Sequence, residues 1–201
     1  MGKVIASATM SLDGYIATPD DGIGHLFDWY EAGDIEVGNK GRPGDLPPFH
    51  LTADSEAYWR GWTEQLGVLI VGRTLFDVTD GWKGRHPLGV PVVVLTHEPP
   101  HDWSYPGSED FHFVTTGIQD AVAAAQQIAG DKTVGVAAGE VAEQALNAGL
   151  LDEIAIDLAP VFLGEGKKFL GSLDVETVLG DAITVIPSAK VIHLRYPVTK
   201  P

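Results

Sequence analysis

Three short segments of the sequence combine glycine with residues that could hold a ligand. Gly72-Arg73-Thr74 follows the apolar run VLIV at residues 68–71. A strand that leads into a helix leaves free backbone N–H groups, which favour phosphate binding, and Arg73 adds a guanidinium that can donate two parallel hydrogen bonds to phosphate oxygens. A turn glycine followed by a solvated arginine explains the same residues, so this segment alone does not decide between the two.

The other two segments stand in similar positions. Residues 137–141 (AAGEV) lie between a predicted strand and a predicted helix, where small side chains let a ligand approach the backbone; a glycine that caps a packed helix is the simpler explanation. Residues 11–17 (SLDGYIA) follow the first predicted strand and set Asp13 beside Gly14, which is also the composition of an ordinary Asp-Gly turn. All three segments follow predicted parallel strands at their carboxyl ends, where open α/β sheets bind ligands, and this shared placement favours a functional interpretation.

The order of the predicted elements defines the sheet that must position these segments. Hydrophobic patterning predicts helices at 53–66, 118–130 and 139–149, and strands at 3–9, 68–71, 91–96, 111–115, 133–137, 152–160, 176–186 and 189–198. Strands and helices alternate in the middle of the chain, which indicates parallel βαβ units, whereas the last fifty residues are mostly strand. We therefore predict one α/β domain over residues 1–201, with a mixed sheet of about eight strands, flanking helices and an antiparallel C-terminal edge.

A stretch rich in glycine and proline, from about residue 17 to residue 52, predicts a long loop. Long ordered loops in compact domains usually act as lids or binding loops. Trp29 and Tyr30 on this loop could stack on a planar heterocycle such as a pterin or a pyrimidine. They could equally anchor the loop to the core or to a second subunit.

The composition excludes several classes of function. The 201 residues include 13 Lys and Arg against 28 Asp and Glu, a formal net charge of −15, which disfavours nucleic acids and anionic membranes as partners. The absence of cysteine excludes disulfides and thiolate chemistry. The seven histidines form no cluster with ligand spacing, so we expect no transition-metal site. The N-terminus lacks the pattern of a signal peptide, which favours a cytoplasmic protein.

Five motifs in order make the chain resemble the dihydrofolate reductase superfamily, and within it the RibD C-terminal-like reductases. They are SLDGYIA, VGRTLFD, VVVLTH, VGVAAGEVAEQAL and AGLLDEIAIDLAPVFLGEGKKFL. The resemblance covers nearly the whole chain and is weakest over residues 22–52. It implies a mixed eight-stranded sheet that binds NADPH, and a homodimer.

The resemblance also implies roles for individual residues. It places Gly72, Arg73 and Thr74 at the cofactor's phosphates, Thr96 and His97 near its adenosine half, and Ala138, Gly139, Glu140 and Val141 at the pyrophosphate. The sequence departs from the family pattern at Ala137-Ala138, where the family has glycines, and a Cβ there could weaken pyrophosphate binding.

Two carboxylates are candidate catalytic groups, and three functions remain open. Asp13 follows the first strand, and Asp54 stands where dihydrofolate reductases keep their pterin-binding acid, although acidic residues suit the first turn of any helix. The first function is an NADPH-dependent reductase most like the 5-amino-6-(5-phosphoribosylamino)uracil reductase of riboflavin biosynthesis. The second is a dihydrofolate or pterin reductase, and the third is a nucleotide-binding or scaffold dimer without turnover.

Overall fold

An eight-stranded mixed sheet forms the centre of the computed structural model, which describes residues 2–40 and 46–199. The strands, including four short ones outside this sheet, are β1 Val4–Met10, β2 Tyr15–Ala17, β3 Ile35–Val37, β4 Phe49–Leu51, β5 Leu66–Gly72, β6 Val92–Leu95, β7 Phe111–Val114, β8 Thr133–Ala137, β9 Glu153–Leu158, β10 Lys167–Lys168, β11 Thr184–Ser188 and β12 Val191–Pro197. The strand order is β11-β12-β9-β1-β8-β5-β6-β7. Six strands are parallel; β12 pairs antiparallel with β9, and β11 pairs antiparallel with β12 at the edge of the sheet. The predicted fold class is confirmed.

Helices cover both faces of this sheet, which explains why strands such as β5 and β6 consist of apolar residues and glycine alone. The helices are α1 Ala53–Gln65, α2 Arg73–Val78, α3 Ile118–Ala129 and α4 Glu140–Asn147. Alternate residues of β1, β5 and β8 pack against α3 and α4 in the main core, and on the other face Leu69, Val71 and Ala137 pack in a second cluster with Phe76 of α2. None of the helices in the described ranges is long and apolar enough to cross a membrane.

The region predicted as a long loop contains more structure than its glycine and proline content indicates. A 3₁₀ helix runs over Asp28–Glu31, and β3 pairs antiparallel with β4. Leu26, Trp29 and Leu51 are fully buried there, so apolar contacts fold a segment that has little propensity for regular structure. Residues 41–45 of the predicted loop lie outside the described residues.

One predicted strand is too long at its N-terminal end. The pattern predicted a strand over 176–186, but β11 begins only at Thr184. Before it, Leu179 makes a single antiparallel bridge to Val198, and Gly180 and Ile183 each donate one backbone hydrogen bond to β12. Gly180 and Asp181 interrupt the ladder because both residue types disfavour strands.

Candidate active site

A cavity of about 1300 Å³ opens at the carboxyl ends of the central strands. Because β1, β8 and β5 are parallel neighbours, the segments that follow them meet at one edge of the sheet. Ile16, Gly72 and Gly139, one from each segment, all line the cavity. Single drug-sized ligands occupy pockets of about 300–1,000 Å³, so this cavity has room for a larger ligand or for two.

One end of the cavity contains every residue that the sequence assigned to a cofactor. The lining there includes Gly72, Arg73, Thr74, Thr96, His97, Ala138, Gly139, Glu140 and Val141. They come from the ends of β5, β6 and β8 and from the first turns of α2 and α4. The methyl groups of Ala137 and Ala138 also lie on this wall.

Three helices begin at this end of the cavity with a glycine as N-cap: α2 at Gly72, α3 at Gly117 and α4 at Gly139. Gly117 caps α3 at φ 110° and Gly139 caps α4 at φ 95°, and neither offers a side chain to the free N–H groups of its helix. The Gly139 N–H donates to the carbonyl of Phe169 (2.8 Å). The next N–H groups of α4 have no acceptor within the helix, so they are available to an anion in the cavity.

Arg73 is held in a fixed position at the rim of the cavity. Its Nε donates to the Asp77 carboxylate and its terminal NH1 donates to the carbonyl of Glu98, both at 2.7 Å. The Thr96 hydroxyl donates to the same carbonyl at 2.9 Å. The hydrogen bond from Arg73 to Glu98 therefore ties the loop after β6 to the first turn of α2. The guanidinium is therefore already oriented, and part of it is still exposed.

Aromatic side chains form the other end of the cavity. They are Phe27, Tyr30, Phe49, Tyr58, Trp59 and Trp62. Tyr30 stacks on Phe49 with ring centroids 4.1 Å apart. The structure places Trp29 differently: its ring is 1% exposed in the core, where Nε1 donates to the Thr9 hydroxyl (3.3 Å), and it does not line the cavity.

The comparisons with known proteins agree with this architecture. The sequence pattern of the RibD C-terminal domain matches residues 2–185. The chain belongs to the RibD C-terminal domain family. This is a family of reductases, and a search of curated proteins finds no match to the sequence.

Solved structures similar to this RibD C-terminal domain have low sequence identity to it. A protein from Shewanella sp. PV-4, provisionally assigned to riboflavin biosynthesis, has a TM-score of 0.71 at 21% identity, over 98% of this chain and 99% of that one. A Thermotoga maritima diaminohydroxyphosphoribosylaminopyrimidine deaminase/5-amino-6-(5-phosphoribosylamino)uracil reductase has a TM-score of 0.61 at 11% identity, over 98% of this chain but 57% of that one. The dihydrofolate reductase of Enterococcus faecalis, in complex with NADP(H) and RAB-propyl, has a TM-score of 0.55 at 16% identity, over 98% and 96%. These likenesses establish the fold.

Neither carboxylate predicted to be catalytic lines the cavity of this RibD C-terminal domain. Asp13 is exposed and accepts hydrogen bonds from the Ser11 hydroxyl (2.5 Å) and from the backbone N–H groups of Leu163 and Gly164. The Ser11 hydrogen bond, helped by these N–H groups, lowers the pKa of Asp13. Asp54 is exposed on the first turn of α1. Asp13 thus joins the turn after β1 to residues 163–164, and Asp54 has the position typical of a helix-stabilising acid.

Asp157 on β9 is a carboxylate of the cavity lining that the sequence interpretation missed. Its side chain is 18% exposed, and Oδ1 lies 2.6 Å from Nδ1 of the fully buried His193. Burial raises the pKa of Asp157, and His193 offsets part of this rise. The available signal was an acid in the middle of an otherwise apolar strand, DEIAIDLAP, with a histidine in another, VIHLRY.

Few basic side chains line the cavity. Lys83 and Arg85, which precede the lining residue His86, are exposed and do not line it. His86 lines it, yet burial lowers its pKa to about 4, so its imidazole is neutral at pH 7. Besides Arg73, the lining contains Lys167, which pairs with Asp21, and Lys168.

The described residues contain no group of three or more His, Asp or Glu side chains that could hold a metal ion.

Proposed function

We propose that this protein is an NADPH-dependent reductase that transfers a hydride to a planar nitrogen heterocycle of the pyrimidine or pterin type. One observation carries the proposal: the nine residues assigned to a cofactor from the sequence line a single cavity at the carboxyl edge of β1, β8 and β5. Ligands of open α/β sheets bind at such an edge. Membership in a reductase family supports the same conclusion.

The donors at this end of the cavity fit a dinucleotide diphosphate. The N-terminus of α4 offers unpaired N–H groups behind Gly139, and an added Cβ there would come no closer than 3.7 Å to Ile16, so the space in front of the helix is open. Arg73 supplies a fixed positive charge in a chain of net charge −15, and an anionic cofactor needs one. We assign the pyrophosphate to the turn that contains Gly139 and another cofactor phosphate to Arg73.

The bound dihydronicotinamide would supply the hydride, and the protein would orient the two reactants and exclude water. Tyr58, Trp59 and Trp62 of α1 line the cavity with aromatic rings, on which a heterocycle can stack. Asp157 is an acceptor for ring N–H groups at the same end of the cavity.

The identity of the heterocycle rests on charge. The Thermotoga maritima relative takes its name from 5-amino-6-(5-phosphoribosylamino)uracil, which carries a phosphate. Two lysines line the cavity, and Lys168 is the one that forms no ion pair with the described residues, so its charge is available to such a phosphate. We propose this substrate class first. Dihydrofolate, which needs no phosphate site, is the alternative, and the contrast between the two substrates tests the role of Lys168.

A nucleotide-binding dimer without turnover is the candidate from another class. The methyl groups of Ala137 and Ala138 on the cavity wall favour it, because a side chain at a point of close approach works against pyrophosphate binding. Measured affinity for NADPH separates this candidate from the reductase.

The experiment is a titration with NADPH and NADH that follows energy transfer to the reduced nicotinamide from Trp59, Trp62 and Trp82, which line the cavity. We expect micromolar binding of NADPH. A hydrogen bond to a charged group contributes about 1.5–3 kcal/mol, so Arg73→Ala should weaken binding by roughly 10- to 100-fold. The matched control is Arg60→Ala, since Arg60 also forms an ion pair with an acid four residues away and lies outside the cavity. The reductase proposal is wrong if neither nucleotide binds at millimolar concentration.

A further inference from the structure

A line of hydrogen-bonded polar groups leads away from Asp157 into the protein. His193 stands opposite Asp157 in the β9–β12 ladder, and its Nδ1 lies 2.6 Å from the carboxylate. On the far side of the ring, Nε2 lies 2.9 Å from the hydroxyl of Ser55 on α1. Ser55 is 1% exposed and His193 is 0% exposed, so no solvent reaches this part of the line.

The line continues to the surface at the N-terminus of α1. The Ser55 hydroxyl donates to the Ser188 hydroxyl at 3.0 Å, and Ser188 is 2.5 Å from the hydroxyl of Thr52. Thr52 and Ser188 are half-buried rather than buried, so this end is accessible to water. Five side chains thus connect the wall of the cavity with the outside of the protein.

The surroundings of this line are aromatic. The ring of Tyr58 stacks on His193 at 4.2 Å, and Trp29 meets the same imidazole edge-on at 5.2 Å. Buried polar groups in such surroundings destabilise the fold unless each one is hydrogen-bonded. Apolar side chains could fill the same space without the free-energy cost of burying polar groups. The hydrogen-bonded line therefore indicates a role other than stabilising the fold.

Hydride reduction provides that use. When a C=N bond is reduced, its carbon gains a hydride with two electrons, and its nitrogen takes up a proton. A cavity that excludes water during hydride transfer needs an internal source for that proton.

We propose that Asp157 protonates the substrate, and that His193, Ser55, Ser188 and Thr52 return a proton to it from the surface. The inference rests on the proposed reductase function. The substrate N–H bond forms as the O–H bond of the Asp157 carboxyl breaks, which leaves a carboxylate. The carboxylate then takes the Nδ1 proton of His193, while the Ser55 hydroxyl rotates away from Ser188 and donates its proton to Nε2. Ser188 and Thr52 restore the Ser55 proton from water, so the reaction consumes one proton in total. Rotation of the imidazole ring brings its remaining proton back to the Asp157 side before the next turnover.

The other titratable groups around Asp157 are compatible with this role. Tyr58 on α1 and Tyr30 in the 3₁₀ helix face it, and burial together with the Asp157 charge raises the pKa of both phenols, so they remain neutral. Along the same two strands, Glu153 and Arg195 form a buried ion pair with each other, and Lys3 also pairs with Glu153. Asp157 and His193 are thus the pair that can exchange a proton with the cavity.

The return route is tested without a substrate, on the full-length protein labelled with ¹⁵N-histidine. NMR measures how fast the ring protons of His193 exchange with water. Exchange should be at least about tenfold slower in Ser55→Ala and Ser188→Ala than in the wild type. The control is Thr63→Val, which removes a buried hydroxyl from the same helix outside the line. Equal exchange in Ser55→Ala and Thr63→Val would overturn the route.

Asp157→Asn tests the acid itself. With NADPH and either dihydrofolate or 5-amino-6-(5-phosphoribosylamino)uracil as probe, its kcat should fall by about 100-fold or more, with NADPH affinity unchanged. His193→Gln should lower kcat less and shift its pH profile, without a matching change in KM. If Asp157→Asn turned over as fast as the wild type, Asp157 would not be the group that protonates the substrate. Failure of the wild type to bind NADPH would refute the proposed function instead, and the exchange rates would still decide the route.

Discussion

Gly139 has no side chain, and this keeps the cofactor end of the cavity open. Its φ of 95° suits glycine, and it stands at the start of α4 facing the cavity. A side chain there would adopt a strained backbone conformation and also enter the space in front of the helix N–H groups. These two effects can be separated, because Gly130 has a positive φ of 62° and open space around it, and lies outside the cavity.

We therefore predict different outcomes for Gly139→Ala and Gly130→Ala. Each should lose about 1–3 kcal/mol of unfolding free energy, because both glycines combine a positive φ with a strongly negative ψ (−149° and −118°), which side chains rarely allow. Only Gly139→Ala should also lose NADPH affinity, by roughly tenfold or more. Urea unfolding and the fluorescence titration measure the two effects. Equal NADPH affinities in the two variants would remove Gly139 from the cofactor site.

His86 should make the stability of the protein depend on pH. Burial lowers its pKa to about 4 from the ordinary 6.5, so between these values the unfolded chain binds more protons than the folded one. Stability is then complete above pH 6.5 and falls by up to about 3 kcal/mol as the pH drops to 4.

The His86→Gln variant should lose this slope, because glutamine does not titrate and can still accept the hydrogen bond from the Leu88 N–H. Urea unfolding between pH 4 and 7 measures the slope, with the exposed His112→Gln as control. The raised pKa of Asp157 makes stability fall as the pH rises, which is the opposite trend. Asp157 is present in both the wild type and His86→Gln, so the difference between their stability curves reports His86 alone. A His86→Gln curve parallel to the wild type would contradict the assignment.

At the residue scale, the glycines and the arginine singled out in the sequence line the cavity, whereas the two acids singled out as catalytic do not. Gly72, Gly139 and Arg73 could be predicted from their position in the sequence, because each follows a strand, and the alternation of strands and helices indicates that these strands are parallel. Asp157 and His193 meet only through the antiparallel register of β9 and β12, 36 residues apart. Nothing local marks that register, so the predicted acids were the ones in recognisable turns and caps.

At the scale of elements, Trp29 fixes the region between β2 and α1. It is 1% exposed, contacts Tyr30 and Trp59 edge-on, and donates a hydrogen bond to β1. Trp29→Ala should therefore destabilise the protein by about 3–5 kcal/mol. Phe162→Ala is the control, since that ring is 74% exposed and its removal should change stability by no more than about 0.5 kcal/mol. Equal unfolding midpoints in urea would show that this region does not share the core.

The predicted elements differ in how well local pattern defined them. Long apolar runs such as β5, β6 and β8 were predicted within a few residues because they are buried on both faces. The three-residue strands β3 and β4 were missed because each is held by its partner and by the aromatic cluster around Trp59. Short elements that depend on tertiary contacts leave little trace in a local window.

At the scale of the whole molecule, the homodimer remains a prediction. Three apolar side chains are exposed near the β11 edge of the sheet: Ile183 just before β11 (55%), Val185 on β11 (59%) and Ile192 on β12 (39%). Such apolar patches often mark interfaces. Val185→Lys should convert a dimer into a monomer in light scattering after size exclusion. Ile128→Lys on α3, 36% exposed and distant in the fold, should leave the dimer intact. A wild-type monomer at micromolar concentration would refute the prediction.

The central claim is that a nicotinamide dinucleotide lies across the carboxyl edge of β1, β8 and β5. The most direct measurement is a crystal structure of the protein grown with NADP⁺. The account predicts the pyrophosphate at the N-terminus of α4 beside Gly139, a phosphate within hydrogen-bonding distance of Arg73, and the nicotinamide directed toward Asp157. A dinucleotide bound elsewhere, or crystals that exclude it at saturating concentration, would contradict the account.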